Sequence, residues 1–279
     1  MDMSYLPSPT RGVWALGPLP VRAYALCILL GILVAIALVK RRWSARGGAS
    51  TQVVDISVIA VVGGIVGARV YHVLTDPELY FAPGRDPWDA VKIWDGGLGI
   101  PGGLMGGALA AWWACRRAGI PLSAYADTAA PGVALAQAFG RWGNWFNNEL
   151  YGSPTTLPWK LKVYEWADGR AVTTTDGETV VLGYFHPTFL YESLWNVGLA
   201  ATLLLIDRRR QLSRGHLFAT YVAGYALGRL WIEALRSDFA NTIFGLRVNT
   251  WVSLLALAVS LTVLVLGRRT ASQQDEQRT

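Results

Sequence analysis

A chain of 279 residues that is 52% hydrophobic and 16% charged is poorer in charge than a soluble domain, of which about 25% is charged, so much of its surface faces lipid. The formal charge of +6 sits mostly in short clusters between apolar runs, a membrane pattern rather than a nucleic-acid one. Cys27 and Cys115 both fall in apolar runs, which argues against a disulfide framework or a CxxC metal site.

A helix needs about 20 apolar residues to cross a hydrocarbon core of roughly 30 Å. Seven segments come close: 22–39, 53–74, 99–116, 125–146, 188–206, 216–235 and 248–267. The expected fold is therefore an all-α integral membrane protein of about seven transmembrane helices. The first segment is no ordinary signal peptide, because its basic cluster Lys40-Arg41-Arg42 follows the apolar run. Basic clusters recur at every second connection: Lys40 to Arg46, Arg116-Arg117, Arg208 to Arg214, and Arg268-Arg269. The positive-inside rule then puts the N-terminus outside and the C-terminus in the cytoplasm.

Two outer connections are long. Residues 75–98 mix acids and bases and are expected along the membrane interface. Residues 147–187 contain the alternating run Trp159 to Tyr164 and two turn signals, Asp168-Gly169 and Asp176-Gly177. They predict a small extracytoplasmic cap with some β structure, an insertion at about 153–187. The predicted organisation is one transmembrane domain, 1–269, followed by a disordered cytoplasmic tail, 270–279. In the third segment Gly99, Gly103 and Gly107 are spaced by four, beside Gly102 and Gly106, and Gly63 and Gly67 repeat the spacing in the second. Small residues at this interval let helix backbones approach closely in lipid.

Three arginines lie inside apolar segments: Arg69, Arg141 and Arg229. Charge there is costly and faces a partner, a cavity or a pathway. Each sits at a similar distance, about 20–24 Å at 1.5 Å per residue, from the inner end of an outward-running segment. All three are expected in the outer half of the membrane. Glu149, Glu192 and Glu233 could neutralise them and simply hold helices together. The alternative is an anionic ligand from the outer leaflet, and the planar guanidinium fork suits phosphate. The densest constellation runs Gly140-Arg141-Trp142-Gly143-Asn144-Trp145-Phe146-Asn147-Asn148-Glu149-Leu150-Tyr151-Gly152. Arg141 and Asn144, three apart, can share a helix face. An arginine and amides at an apolar helix end suit a polar headgroup. A capped helix terminus explains one Asn and a Gly, but not the whole set.

This stretch resembles the signature G-R-x-G-N-F-x-N-x-E-x-x-G of the phosphatidylglycerol–prolipoprotein diacylglyceryl transferase family, with Trp145 where Phe is usual. Further blocks are similar: Gly67-Ala68-Arg69, Trp94-Asp95-Gly96-Gly97, His186-Pro187-Thr188 with Leu190-Tyr191-Glu192, and Gly228-Arg229 with Glu233 and Arg236. Tyr24 matches a tyrosine near the start of the first helix. One departure is Pro101, which stands where many members have a histidine assigned a catalytic role and cannot move a proton.

The resemblance implies a bacterial inner-membrane enzyme. It would transfer the sn-1,2-diacylglyceryl group from phosphatidylglycerol to the lipobox cysteine of a prolipoprotein signal peptide, releasing glycerol-1-phosphate. It implies Arg141 and Arg229 as the catalytic pair on the leaving phosphate. Tyr24, Arg69, Asn144, Asn147, Glu149, Gly152 and Glu233 are expected to bind or orient substrate, with Glu192 orienting arginines. His186 is a possible base. Displacement at carbon calls for no cofactor and no metal, and the expected partners are lipid and signal peptide, not nucleic acid. The rival classes are a transporter or another lipid-headgroup-binding membrane protein. The absence of an internal repeat weighs against the first, and a retinal protein would need a lysine that 248–267 lacks.

Overall fold

The structure, a computed structural model, describes residues 4–17, 19–210, 212–238 and 241–276, with their side chains except those of Leu19, Asp95 and 268–276. Its helices are α1 (Ala23–Ser44), α2 (Ser50–Thr75), the single turn α3 (Glu78–Phe81), α4 (Ile100–Ala118), α5 (Leu122–Asn147), α6 (Thr188–Arg209), α7 (His216–Leu235) and α8 (Val248–Glu276). Each of the seven apolar segments falls on one of the long helices. Helix geometry continues to Glu276, while residues 277–279, the end of the tail expected to be disordered, lie outside the described residues.

Among the described residues, four stretches are long and apolar enough to cross a membrane: Ala23–Ser44, Ser50–Thr75, Thr188–Arg209 and Val248–Gly267. The other three long helices carry more polar matter. α4 is glycine-rich and ends in Arg116-Arg117, α5 holds Asp127, Arg141 and Asn144, and α7 holds Arg229 and Glu233.

The chain divides into two compact units, Ile36–Thr128 and Met1–Ala35 with Ala129–Thr279. In the first, α2 packs on α4 through glycine. A Cβ on Gly106 would lie 2.9 Å from Gly67 Cα, and the same distance separates a Cβ on Gly67 from Gly106 Cα. Real side chains do not approach so closely, so the two backbones touch. Pro101 sits in the first turn of α4, where a missing N–H costs nothing. Between α2 and α4 the chain makes α3 and two short 3₁₀ turns, Pro87–Val91 and Ile93–Asp95. In α5, Pro131 cannot bond the carbonyl of Asp127. Arg42 Nη1 donates to that oxygen at 2.9 Å and also to the carbonyl of Thr128.

In the second unit, the hairpin of β1 (Val13–Leu16) and β2 (Leu19–Arg22) leads into α1. Ala130 and Ala134 of α5, Ala200 and Leu203 of α6, and Leu217 and Tyr221 of α7 form a buried core, with the Tyr221 hydroxyl donating to Gln137 Oε1 at 3.0 Å. Between α5 and α6, β3 (Leu161–Tyr164) pairs antiparallel with β6 (Val181–Phe185), while β4 (Trp166–Ala167) and β5 (Arg170–Ala171) close on Asp168-Gly169. Both turn residues have positive φ, 50° and 77°, as a type I′ hairpin demands. Leu161, Val163 and Phe189 form a small core beneath these strands. A last hairpin, β7 (Thr242–Ile243) and β8 (Leu246–Arg247), precedes α8.

Candidate functional site

The end of α5 builds the first part of the site. The helix stops in a Schellman turn: Asn148 takes φ 55°, its N–H donates to Trp145 O at 3.2 Å, and the Glu149 N–H donates to Asn144 O at 3.1 Å. Asparagine tolerates the left-handed position better than most side chains. Its Oδ1 accepts from Tyr164 N at 2.9 Å and so ties the helix end to β3. The turn folds Glu149 back over the last helical turn. Its Oε1 accepts from Asn144 Nδ2 at 2.9 Å and from Asn147 Nδ2 at 3.1 Å. Arg141 Nη1 reaches Asn144 Oδ1 at 3.4 Å. Tyr24 packs against Gly143, where a Cβ would come within 2.5 Å of its ring, and within electrostatic reach of Glu149 and Arg141.

The second part comes from α6 and α7. Buried Thr188, Glu192, Asn196 and Ala200 recur every fourth residue on one face of α6. Glu192 bridges two arginines, with Oε2 2.6 Å from Arg141 Nε and Oε1 3.3 Å from Arg229 Nη1. Arg229 also meets Glu233, one turn on in α7, through Nη2 and Oε2 at 2.7 Å. The side chains of Glu192 and Glu233 are 5% and 2% exposed, those of Arg141 and Arg229 20% and 13%. The acids are thus more deeply buried than the arginines they hold. Arg141 Nη2 and Arg229 Nε have no protein partner among the described residues.

The ladder continues into Arg247, Asp238 and Asn249, which the sequence reading did not single out, and on to Arg236, which it did. Glu233 Oε1 lies 2.8 Å from Arg247 Nε and accepts from Asn249 Nδ2 at 3.3 Å. Arg247 Nη2 meets Asp238 Oδ2 at 3.0 Å, and Arg236 grips the same carboxylate through Nε at 2.7 Å and Nη2 at 2.8 Å. Burial alone would raise the Asp238 carboxyl, but the hydrogen bonds and charges of Arg236 and Arg247 hold it below the ordinary carboxylate range. The only sequence signal for Arg247 was a lone cation at the mouth of the last apolar segment.

Arg69 is held by backbone. Its five N–H groups all go to backbone carbonyls: Nε to Ala90 at 2.8 Å, Nη1 to Gly96 at 2.6 Å and Gly97 at 3.0 Å, and Nη2 to Asp89 and, at 3.2 Å, to Lys92. The Tyr80 ring covers the guanidinium at 4.8 Å. A guanidinium has five donors, and here all five are engaged by carbonyls of residues 89–97. Gly152 likewise serves the backbone. Its N–H donates to His186 O at 2.9 Å, its carbonyl accepts from Ser237 Oγ at 2.9 Å, and a Cβ would meet Leu235 O at 2.9 Å. His186 Nδ1 faces the Tyr191 hydroxyl at 3.2 Å, and that hydroxyl accepts from Trp159 Nε1 at 2.8 Å.

Residues 11–266 match the family model described as prolipoprotein diacylglyceryl transferase. Proteins named phosphatidylglycerol–prolipoprotein diacylglyceryl transferase are similar along nearly the whole chain. That of Paenarthrobacter aurescens is 55% identical over 98% of this chain and 87% of its own. That of Streptomyces avermitilis is 52% identical over 99% and 78%. That of Corynebacterium efficiens is 50% identical over 99% and 87%.

Proposed function

The chain belongs to the prolipoprotein diacylglyceryl transferase family, and from that premise we propose how it moves the diacylglyceryl group of phosphatidylglycerol to the lipobox cysteine of a prolipoprotein signal peptide. In this reading all seven long helices span the bacterial inner membrane, with the N-terminus outside, the C-terminus in the cytoplasm and the 153–187 strands on the outer side. The arginines then lie in the outer leaflet, which a lipid and a membrane-tethered peptide both reach by lateral diffusion.

The cysteine sulfur, as thiolate, attacks the glyceryl carbon that bears the phosphate ester. The S–C bond forms as that C–O bond breaks, and glycerol-1-phosphate leaves with the bonding electrons. A free thiol ionises near pH 8.5 or so, and two adjacent cations lower that value. Arg141 and Arg229 bind the phosphate oxygens where charge develops. The observation that carries this reading is the shared carboxylate, Glu192, which aims two arginines from facing helices at one place while leaving each an unused N–H. Glu149 holds Asn144 and Asn147 in register beside Arg141, where the amides orient the headgroup and Tyr24 adds a hydroxyl. His186 is the candidate proton acceptor, with Tyr191 fixing its ring.

The test is complementation of a bacterium depleted of its own transferase. Wild type is expected to restore lipoprotein modification. A well-expressed but inactive wild type would overturn the reading and reopen a transporter or another lipid-headgroup protein. His186→Ala tests the base separately: full modification would remove His186 from the mechanism and leave the phosphate site standing.

A further inference from the structure

Arg247 lies outside every motif that points to the chemistry, yet it closes the ion ladder behind Arg229. Glu233, almost wholly buried, divides its two oxygens: Oε2 to Arg229 and Oε1 to Arg247. With Glu149 beside Arg141, the site holds two guanidinium groups, Arg141 and Arg229, against three carboxylates, Glu149, Glu192 and Glu233. Arg247 adds the positive charge that balances the third carboxylate, and the Arg236–Asp238 pair adds none. Arg247 is itself held rigidly, with Nη1 donating to Arg236 O at 3.0 Å and Nη2 to Asp238 O at 3.1 Å. The β7–β8 hairpin thus presents a fixed cation to the far side of Glu233.

We infer that Arg247 is a positioning residue for the transfer reaction, acting through Glu233 to hold the Arg229 guanidinium in place and keep its charge available to the leaving phosphate. The inference rests on the reading of Arg229 given above. A buried carboxylate with two cations divides its charge between them, whereas one with a single cation concentrates it there. Without Arg247, Glu233 would draw Arg229 onto itself and away from the phosphate. A displacement of the order of an ångström at a reacting centre costs about 100-fold in rate.

The experiment measures kcat and KM for purified wild type, Arg247→Gln, Arg247→Lys, Glu233→Gln and the Arg247→Gln/Glu233→Gln double variant, with phosphatidylglycerol vesicles and a lipobox peptide, beside thermal midpoints. Arg247→Gln is expected to lose about 100-fold, mainly in kcat. Arg247→Lys should recover part of it, because an ammonium can still pair with Glu233. The double variant should be no worse than Arg247→Gln, since removing the carboxylate with its cation leaves nothing to pull Arg229 aside. Losses that multiply in the double variant, or a rate unchanged in Arg247→Gln, would overturn the inference. If Arg247→Gln does not fold, Arg247→Lys carries the test, and a loss matched only by a lower midpoint overturns it. An inactive wild type would sink the reading beneath it and the inference together, and the wild-type arm alone reports that outcome.

Discussion

Arg69 and Arg229 are the same residue inside long helices, and the molecule surrounds them in opposite ways. Arg69 spends every donor on carbonyl oxygens of one loop. Arg229 rests between two carboxylates and keeps a donor in reserve. Carbonyl partners saturate a guanidinium without cancelling its charge and fix backbone. Carboxylate partners neutralise the charge and fix direction, which leaves an N–H aimed at whatever anion arrives. What an intramembrane arginine does is therefore read from the chemistry of its partners rather than from its depth.

The comparison breaks most sharply at the two carboxylate-bound arginines. Arg141→Lys and Arg229→Lys keep the charge but lose the fork, and each should lower the rate of glycerol phosphate release by about 10²–10³, the usual loss when one preorganised donor is removed. The protein should remain folded, and a rate within a factor of two or so of wild type would place these residues with Arg69 as structural. Arg69→Gln should do the reverse. It abandons most of five charge-assisted bonds, and a thermal melt should show a loss of about 3 kcal/mol or more, while turnover per folded molecule changes far less than in the Arg229 variant.

Gly106→Val sharpens the contrast from the side of packing. It forces α2 from α4 and should cost about 1–3 kcal/mol by the same melt, with no direct effect on turnover. The smallest effect concerns Asp238. Its folded carboxyl titrates below the ordinary value near 3.9 or so, so its share of stability is present above that value and is lost as the pH falls through the lowered one. The melting midpoint should hold from pH 7 to about 4 and decline below, and Asp238→Asn should flatten that acid limb. An unaltered limb would show that Asp238 adds nothing to the ladder.

The helical fold was legible: each of the seven apolar segments lies on a long helix, and four of these, among the described residues, are long and apolar enough to cross a membrane. The turns at Asp168-Gly169 and Asp176-Gly177 were legible because positive φ selects such residues. The site was legible where motifs are local, as from Arg141 to Glu149. It was less so where partners come from distant segments. Nothing in the spacing of Arg69 distinguishes a carbonyl clamp from a phosphate ligand, because its partners lie some twenty or more residues on, in a loop with irregular geometry. Arg247 was not legible in sequence because its partner is Glu233, fourteen residues earlier on another element.

The most direct test of the account is the product itself. Purified protein, phosphatidylglycerol vesicles and a synthetic lipobox peptide should yield, by intact mass, a peptide heavier by one diacylglyceryl group on its cysteine, and glycerol phosphate in equal amount. Both products should disappear when the cysteine is replaced by serine. Glycerol phosphate released without peptide modification, or a peptide left unchanged by folded protein, would contradict the claim that Arg141 and Arg229 serve a displacement at the glyceryl carbon.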